Sequence, residues 1–147
     1  YRMSNIVAGI GRGQLEVLDL RVKQRRTNFE WYRQLLGNKP GITFLEAPTV
    51  DFFSNHWLTT ITIDPILTGG VSREDLRLAF EKENIETRPL WKPMHMQPVF
   101  ADCLNFTDGT SEKLFENGLC LPSGSNLTEE EKERIAAVLL KVFRLIS

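Results

Sequence analysis

The residue types most able to do chemistry sit together in one stretch, Arg88-Pro89-Leu90-Trp91-Lys92-Pro93-Met94-His95-Met96-Gln97-Pro98-Val99-Phe100. It gathers a guanidinium, an ammonium, an indole and an imidazole into a segment stiffened by Pro89, Pro93 and Pro98. A loop of that composition can hold side chains still without regular secondary structure, which a binding surface requires. Lys92 suits a phosphate, Trp91 the face of a sugar or base, and His95 a hydroxyl or a proton transfer. Composition leaves a second reading open, in which Trp91 and Met94 plug the core and Lys92 is merely solvated.

Other candidates carry less. His56, next to Trp57 at the start of a strand, reads as structural. His56 and His95 with Cys103 and Cys120 lack the ligand-pair spacing of a zinc site, so no metal is expected. Lys23, Arg25 and Arg26 form a basic cluster on a helix, usually a solvated face. Gly9, Gly11 and Gly13 follow no strand and are not spaced as a dinucleotide fingerprint. Ser123-Gly124-Ser125 resembles no nucleophile elbow. The two cysteines are read as reduced, mostly buried thiols of a cytoplasmic protein. The Asn105-Phe106-Thr107 and Asn126-Leu127-Thr128 glycosylation patterns mean little without a secretory context.

The elements that must position the loop can be read from periodicity. Ser4 caps a first helical segment, with Ile6, Ile10, Leu15, Leu18 and Val22 at helix-like intervals. Its three glycines imply close backbone packing or a break between two helices. The segment continues through Phe29, Tyr32 and Leu36 and stops at Gly37 and Pro40. Strands are expected at Ile42 to Leu45, Trp57 to Ile63 (central and covered on both faces), Ile85 to Arg88 and Leu119 to Leu121. Ser72 caps a helix that turns Leu76, Ala79 and Phe80 inward and stops at Asn84. Ser111 is expected to cap a short helix ending at Asn117-Gly118. Thr128 and Glu131 form a capping box for the last helix, whose buried stripe is Ile135, Val138, Leu139, Val142 and Ile146. This order implies an α+β fold with a small, mostly antiparallel sheet packed with helices.

With 147 residues, 41% hydrophobic and 25% charged, the chain suits one compact soluble domain. A net charge of −1 gives no electrostatic reason to expect nucleic acid or an anionic membrane. No apolar run approaches the roughly 20 residues that span a bilayer. The start, Tyr1-Arg2-Met3-Ser4, is not that of a signal peptide.

Several segments, read in order, resemble the C-terminal part of the DegT/DnrJ/StrS-type aminotransferases, which act on nucleotide-linked keto sugars. Tyr1-Arg2-Met3-Ser4-Asn5-Ile6, then Ala8, Gly11 and Gln14-Leu15, resembles the entry to that family's long interdomain helix. Arg25-Arg26 through Tyr32-Arg33-Gln34-Leu35-Leu36 is similar to its later half. Trp91-Lys92-Pro93-Met94-His95-Met96-Gln97-Pro98 resembles the substrate-side loop. Leu121-Pro122-Ser123 and Leu127-Thr128-Glu129-Glu130-Glu131 resemble the last strand and helix.

The resemblance implies a fold-type I enzyme dependent on pyridoxal phosphate, homodimeric, moving an amino group from glutamate to the sugar. It implies one domain over 1–147, with interdomain-type helices over 1–37 and a small α+β domain over 38–147. The family's cofactor lysine lies in a large domain upstream of any residue here, so the chain alone is expected to be inactive and to bind no cofactor. An asparagine that reaches the cofactor phosphate immediately precedes the family's Tyr-Arg pair and is not included here. By the same resemblance, Arg2 reaches across the dimer interface toward an amino-donor carboxylate or the cofactor, and Tyr1 either packs its ring or offers its hydroxyl. His95 approaches the sugar, Trp91 and Lys92 flank the nucleotide diphosphate, and Arg88 either braces the loop or touches ligand. The Trp-Lys-Pro-Met-His wording is nearest to enzymes acting on UDP-linked 4-keto N-acetylated sugars in glycan biosynthesis. Two alternatives share the chain: a pyridoxamine phosphate-dependent sugar dehydratase of the same family, and a non-catalytic binding module. A module would wrap the first helix with its own chain, whereas an enzyme domain would leave an apolar face uncovered.

Overall fold

The structure, a computed structural model, describes residues 2–144; Tyr1 and Ile146 lie outside them. Ser4 caps α1 (Asn5–Glu16), its hydroxyl accepting from the Val7 N–H at 3.3 Å. Gly9, Gly11 and Gly13 lie inside this helix, and a Cβ added at any of them would meet nothing within 4 Å. The expected tight packing is therefore not made by the described residues, and the break falls at Val17 (φ −112°, ψ 4°), beyond the glycines. Glycine weakens a helix without blocking it, so the helix runs through all three. α1 buries no residue: Ile6 is 77% exposed and Ile10 61%.

α2 (Leu18–Leu36) buries Asn28, Phe29, Tyr32 and Leu36, one face of a 3.6-residue period. The Tyr32 hydroxyl donates to the Pro122 carbonyl at 2.9 Å, and Asn28 Nδ2 donates to the Gly124 carbonyl at 2.8 Å. These two bonds fasten α2 to the segment following the last strand.

The sheet holds β1 (Ile42–Phe44), β2 (Thr59–Ile63), β3 (Arg88–Pro89) and β4 (Gly118–Leu121) in the order β1-β2-β4-β3, every pairing antiparallel. β2 and β4 are interior. All of β4 and all of β2 except Thr62 are buried. Ile61, Ile63, Leu119 and Leu121 join Tyr32 and Leu36 of α2, Leu76 and Phe80 of α3 (Arg73–Lys82), and Ile135 and Leu139 of α5 (Glu129–Arg144) in one core. Each such buried side chain stabilises the fold by about 1.5–3 kcal/mol relative to exposure. Thr60 and Cys120 pair on the alternate register, where α4 (Thr110–Asn117) lies against β2 and β4.

Caps set the helix ends. Ser72 and Asp75 close α3, and Thr128 and Glu131 close α5, in reciprocal capping boxes. α4 differs from expectation. Its N-cap is Gly109 at φ 82°, while Ser111 lies in the first turn and bonds Glu112 instead. Glycine takes that left-handed backbone without a Cβ penalty, and Thr107 and Asp108 supply the local bonds to the Gly109 and Thr110 N–H groups.

The third strand is also shifted, to Arg88–Pro89 rather than Ile85 to Arg88. Asn84 turns left-handed (φ 57°), and the Ile85 N–H goes back to the Phe80 carbonyl at 3.0 Å, so Ile85 packs on the core instead of pairing. Pro89 then lacks the N–H needed to extend the ladder. Of the two thiols, Cys120 is buried but Cys103 is exposed, on a stretch after the proline-rich loop where residues 101–108 all face outward. That corrects the reading of both as buried.

Candidate functional site

The proline-rich loop leaves the sheet edge at Leu90, whose N–H bonds the Gly118 carbonyl at 3.2 Å. It then folds into two single-turn 3₁₀ segments, Met94–Met96 and Pro98–Phe100. The Met96 N–H bonds the Pro93 carbonyl at 3.1 Å, and the Gln97 side chain donates to the Lys92 carbonyl at 3.1 Å. The loop is thus closed by its own backbone. It does not plug the core: Trp91 is 68% exposed and Met94 63%.

Trp91 tilts against Trp57, centroids 6.2 Å apart and planes at 35°. The pair lines an open, mainly apolar groove running between the first half of α2, the 45–58 segment and α4, with Phe53, Leu45, Leu90 and Leu114 on its walls. Arg26 borders it with its guanidinium over the Phe53 ring, 4.7 Å from the centroid. A groove with aromatic faces and a cation at its edge suits a planar, anionic ligand.

Lys23, Arg25 and Arg26 were expected to be a solvated face, and for the two arginines that is corrected. Arg26 donates to the Ser54 carbonyl, and Arg25 donates to the Trp57 carbonyl and, at 3.0 Å, to the Ser123 carbonyl. These bonds pin the 54–57 segment, and with it Trp57, to α2. Asn55 Oδ1 accepts from the Trp57 N–H at 3.0 Å and Ser54 Oγ from the His56 N–H at 3.1 Å, closing the turn from within. His56 lies in the left-handed region (φ 46°), stacked on Phe29. Burial, then the charge of Arg26, lowers its pKa. Sequence reasoning missed Trp57 as a groove residue. The polar Ser54-Asn55 pair before an aromatic was the available signal.

His95 turns to α4. Its Nε2 lies 2.8 Å from Glu112 Oε1, with both side chains mostly buried. Thr107 Oγ1 donates to the same carboxylate, 3.1 Å from each oxygen, and Ser111 Oγ lies 3.0 Å from Oε2. The Glu112 backbone N–H, then Ser111, Thr107 and His95, hold this carboxyl below the usual carboxylate range, against an opposing effect of burial.

The candidates are not all brought together. Trp91 lines the groove; Lys92 is exposed next to it in sequence. Arg88 lines a separate cleft between α3 and β3, where its exposed guanidinium pairs with Glu86 Oε1 at 2.5 Å. Arg2 is exposed before α1 and contacts none of the other candidates among the described residues. Tyr1 lies outside them.

The side chains do not amount to a complete site for pyridoxal phosphate. Its Schiff base needs a lysine amine enclosed beside an anchored ring. Lys23, Lys82, Lys92, Lys113 and Lys141 are exposed, Lys39 is in the turn after α2, and Lys132 pairs with Glu129 at 2.9 Å. These residues can offer a stacking surface, cations and an oriented imidazole.

Known proteins resemble this chain in sequence and in fold. The "Putative pyridoxal phosphate-dependent aminotransferase EpsN" of Bacillus subtilis is 47% identical over 99% of this chain and 37% of its own length. A GDP-perosamine synthase of Caulobacter vibrioides is 32% identical over 97% of this chain and 38% of its own. The chain thus spans well under half the length of these relatives. Among solved structures, the aminotransferase TlmJ of Streptoalloteichus hindustanus superposes with a TM-score of 0.82 at 21% identity, over 97% of this chain and 37% of that one. PseC of Helicobacter pylori, an aminotransferase involved in pseudoaminic acid biosynthesis, gives 0.81 at 23% identity, over 99% and 38%. At those identities the superpositions speak for the α+β fold. The profile of the DegT/DnrJ/EryC1/StrS aminotransferase family matches residues 1–140, and the chain belongs to that family.

Proposed function

We propose that this chain is the C-terminal small domain of a pyridoxal phosphate-dependent aminotransferase that moves an amino group from glutamate to a keto sugar linked to a nucleotide. The observation that carries this reading is Trp91, exposed on a loop closed by its own hydrogen bonds and lining an aromatic groove with Trp57, in a member of this family. When bound, the cofactor supplies the electron sink for the transfer. This chain supplies surroundings: Trp57 and Trp91 offer ring faces to the nucleotide, Lys92 and Arg26 offer charge to its diphosphate, and His95 meets a sugar hydroxyl. Helices 1–37 would join this domain to a cofactor-binding domain and, in a homodimer, place Arg2 near the neighbouring active site. The uncovered apolar side of α1 supports that arrangement over a free-standing module.

The substrate is proposed as a UDP-linked 4-keto N-acetylated hexose of glycan biosynthesis. The test is the whole enzyme with glutamate and matched UDP-, GDP- and dTDP-linked 4-keto sugars, following 2-oxoglutarate release. Preference for the UDP sugar is expected. Preference for the GDP sugar would move the substrate toward that of the Caulobacter relative, and no glutamate-dependent amination of any sugar would overturn the reading.

A further inference from the structure

The contact between the loop and α4 limits what His95 can do. Ionised carboxylates only accept hydrogen bonds, so the 2.8 Å approach of Nε2 to Glu112 Oε1 requires a proton on Nε2. In a neutral imidazole that leaves Nδ1 as the unprotonated, accepting nitrogen. Nδ1 has no hydrogen-bond partner among the described residues. Glu112 is itself braced, by Thr107 Oγ1 3.1 Å from both oxygens and by Ser111 Oγ at 3.0 Å. Thr107 also accepts from the Gly109 N–H at 3.0 Å, which ties the carboxylate to the left-handed turn that starts α4. The brace is local and preformed, and spans the two segments on either side of the exposed 101–108 stretch.

We propose that Glu112 is a positioning residue for His95: it holds the ring in the Nε2–H tautomer and presents Nδ1 as the acceptor for a hydroxyl of the bound sugar. This rests on the proposed function, in which His95 is the sugar-side residue. A histidine fixed this way accepts from a hydroxyl donor at a set angle. One without the carboxylate exchanges tautomers and offers the acceptor only part of the time. Thr107 then acts one step further out, by orienting Glu112.

The experiment uses the whole protein labelled with ¹⁵N-histidine, the His95 signals being those lost in His95→Gln. Wild type should show the Nε2–H tautomer at a pH where the ring is neutral, and Glu112→Leu a mixture. Glu112→Leu should raise the KM for the sugar by about two- to tenfold, the worth of one hydrogen bond between neutral groups, and leave the KM for glutamate unchanged. Glu112→Gln keeps an acceptor oxygen and should recover most of the loss. If Glu112→Leu does not fold, Thr107→Val, which loosens the carboxylate, carries the tautomer measurement and should shift part of the way toward the mixture. An unchanged tautomer and sugar KM in Glu112→Leu, or in Thr107→Val where that variant stands in for it, with a raised sugar KM in His95→Ala, would overturn the proposal and leave the proposed function standing. No effect of His95→Ala removes His95 from the sugar site and the proposal with it. Absence of sugar amination in wild type defeats the proposed function, while the tautomer still decides whether Glu112 sets the ring.

Discussion

The imidazole of His56 lies flat on the ring of Phe29, centroids 3.7 Å apart and planes 16° from parallel. This stack seats the turn that carries Trp57 on α2, and it favours the neutral ring, because burial and then Arg26 oppose protonation. A depressed folded-state pKa makes the contribution full above the unfolded value of about 6.5. As pH falls below that, the unfolded chain takes up the proton first and stability declines until the folded pKa is passed. Thermal midpoints measured from pH 7.5 to 5 should therefore fall in wild type and fall less in His56→Asn. Asparagine tolerates the left-handed backbone and does not titrate in this range. Equal slopes in the two proteins would place the dependence elsewhere.

Gly118 lies at the start of β4, against Leu90 of the loop and Leu114 of α4. A Cβ there would sit 2.2 Å from Leu90 Cδ1 and 2.3 Å from the Leu114 carbonyl oxygen. The leucine can rotate, but the backbone oxygen cannot move without shifting α4. Gly118→Ala should cost about 1–3 kcal/mol by overpacking, seen as a lower denaturant midpoint at unchanged slope. It should also change the fluorescence of Trp91, one residue beyond Leu90.

Tyr32 is wholly buried and its hydroxyl bonds the Pro122 carbonyl. Tyr32→Phe keeps the ring and leaves that carbonyl without this donor, so a loss of about 1–3 kcal/mol is expected in chemical denaturation. Burial also pushes the phenol far above its ordinary pKa. The ultraviolet absorbance of folded protein at pH 11 should therefore show Tyr32 un-ionised until the fold opens.

Trp57 and Trp91 tilt against each other where they line the groove. If the nucleotide stacks there, UDP alone should quench their emission, and Trp91→Ala should weaken that binding by about 1–3 kcal/mol, the range of base–aromatic stacking. Trp57→Ala should do the same. Unaltered UDP affinity in both variants would take the base out of this groove.

Much of the fold was legible because its signals are local. Ser72 and Thr128 announce helix starts through side chains that bond their own neighbours, and Phe29, Tyr32 and Leu36 recur at the helical period. The true place of the third strand is hidden from strand propensity because the Asn84 N–H goes to the Glu81 carbonyl and the Ile85 N–H to the Phe80 carbonyl, a choice made by the helix end. The start of α4 is hidden for a similar reason: Gly109, already left-handed, takes the cap position that the sequence assigns to Ser111. The 91–95 loop stood out by composition. Its Trp57 counterpart did not, because it depends on Arg25 and Arg26 reaching carbonyls 28 to 98 residues away. Arg88 was grouped with Trp91 by adjacency, whereas an edge strand sends it to a different cleft.

The glycines of α1 have one further consequence. A helix of 12 residues is already marginal in water, and three glycines cost it about 3 kcal/mol relative to alanine. None of its side chains is buried by the described residues, so little within them offsets that cost. The first segment therefore behaves as a conditional helix, whose order is set by whatever covers Ile6 and Ile10 rather than by its own sequence. Amide exchange over residues 5–16 becomes a gauge of assembly: fast in the isolated chain, slow once the apolar side is covered, with the core around Tyr32 and Leu139 protected in both.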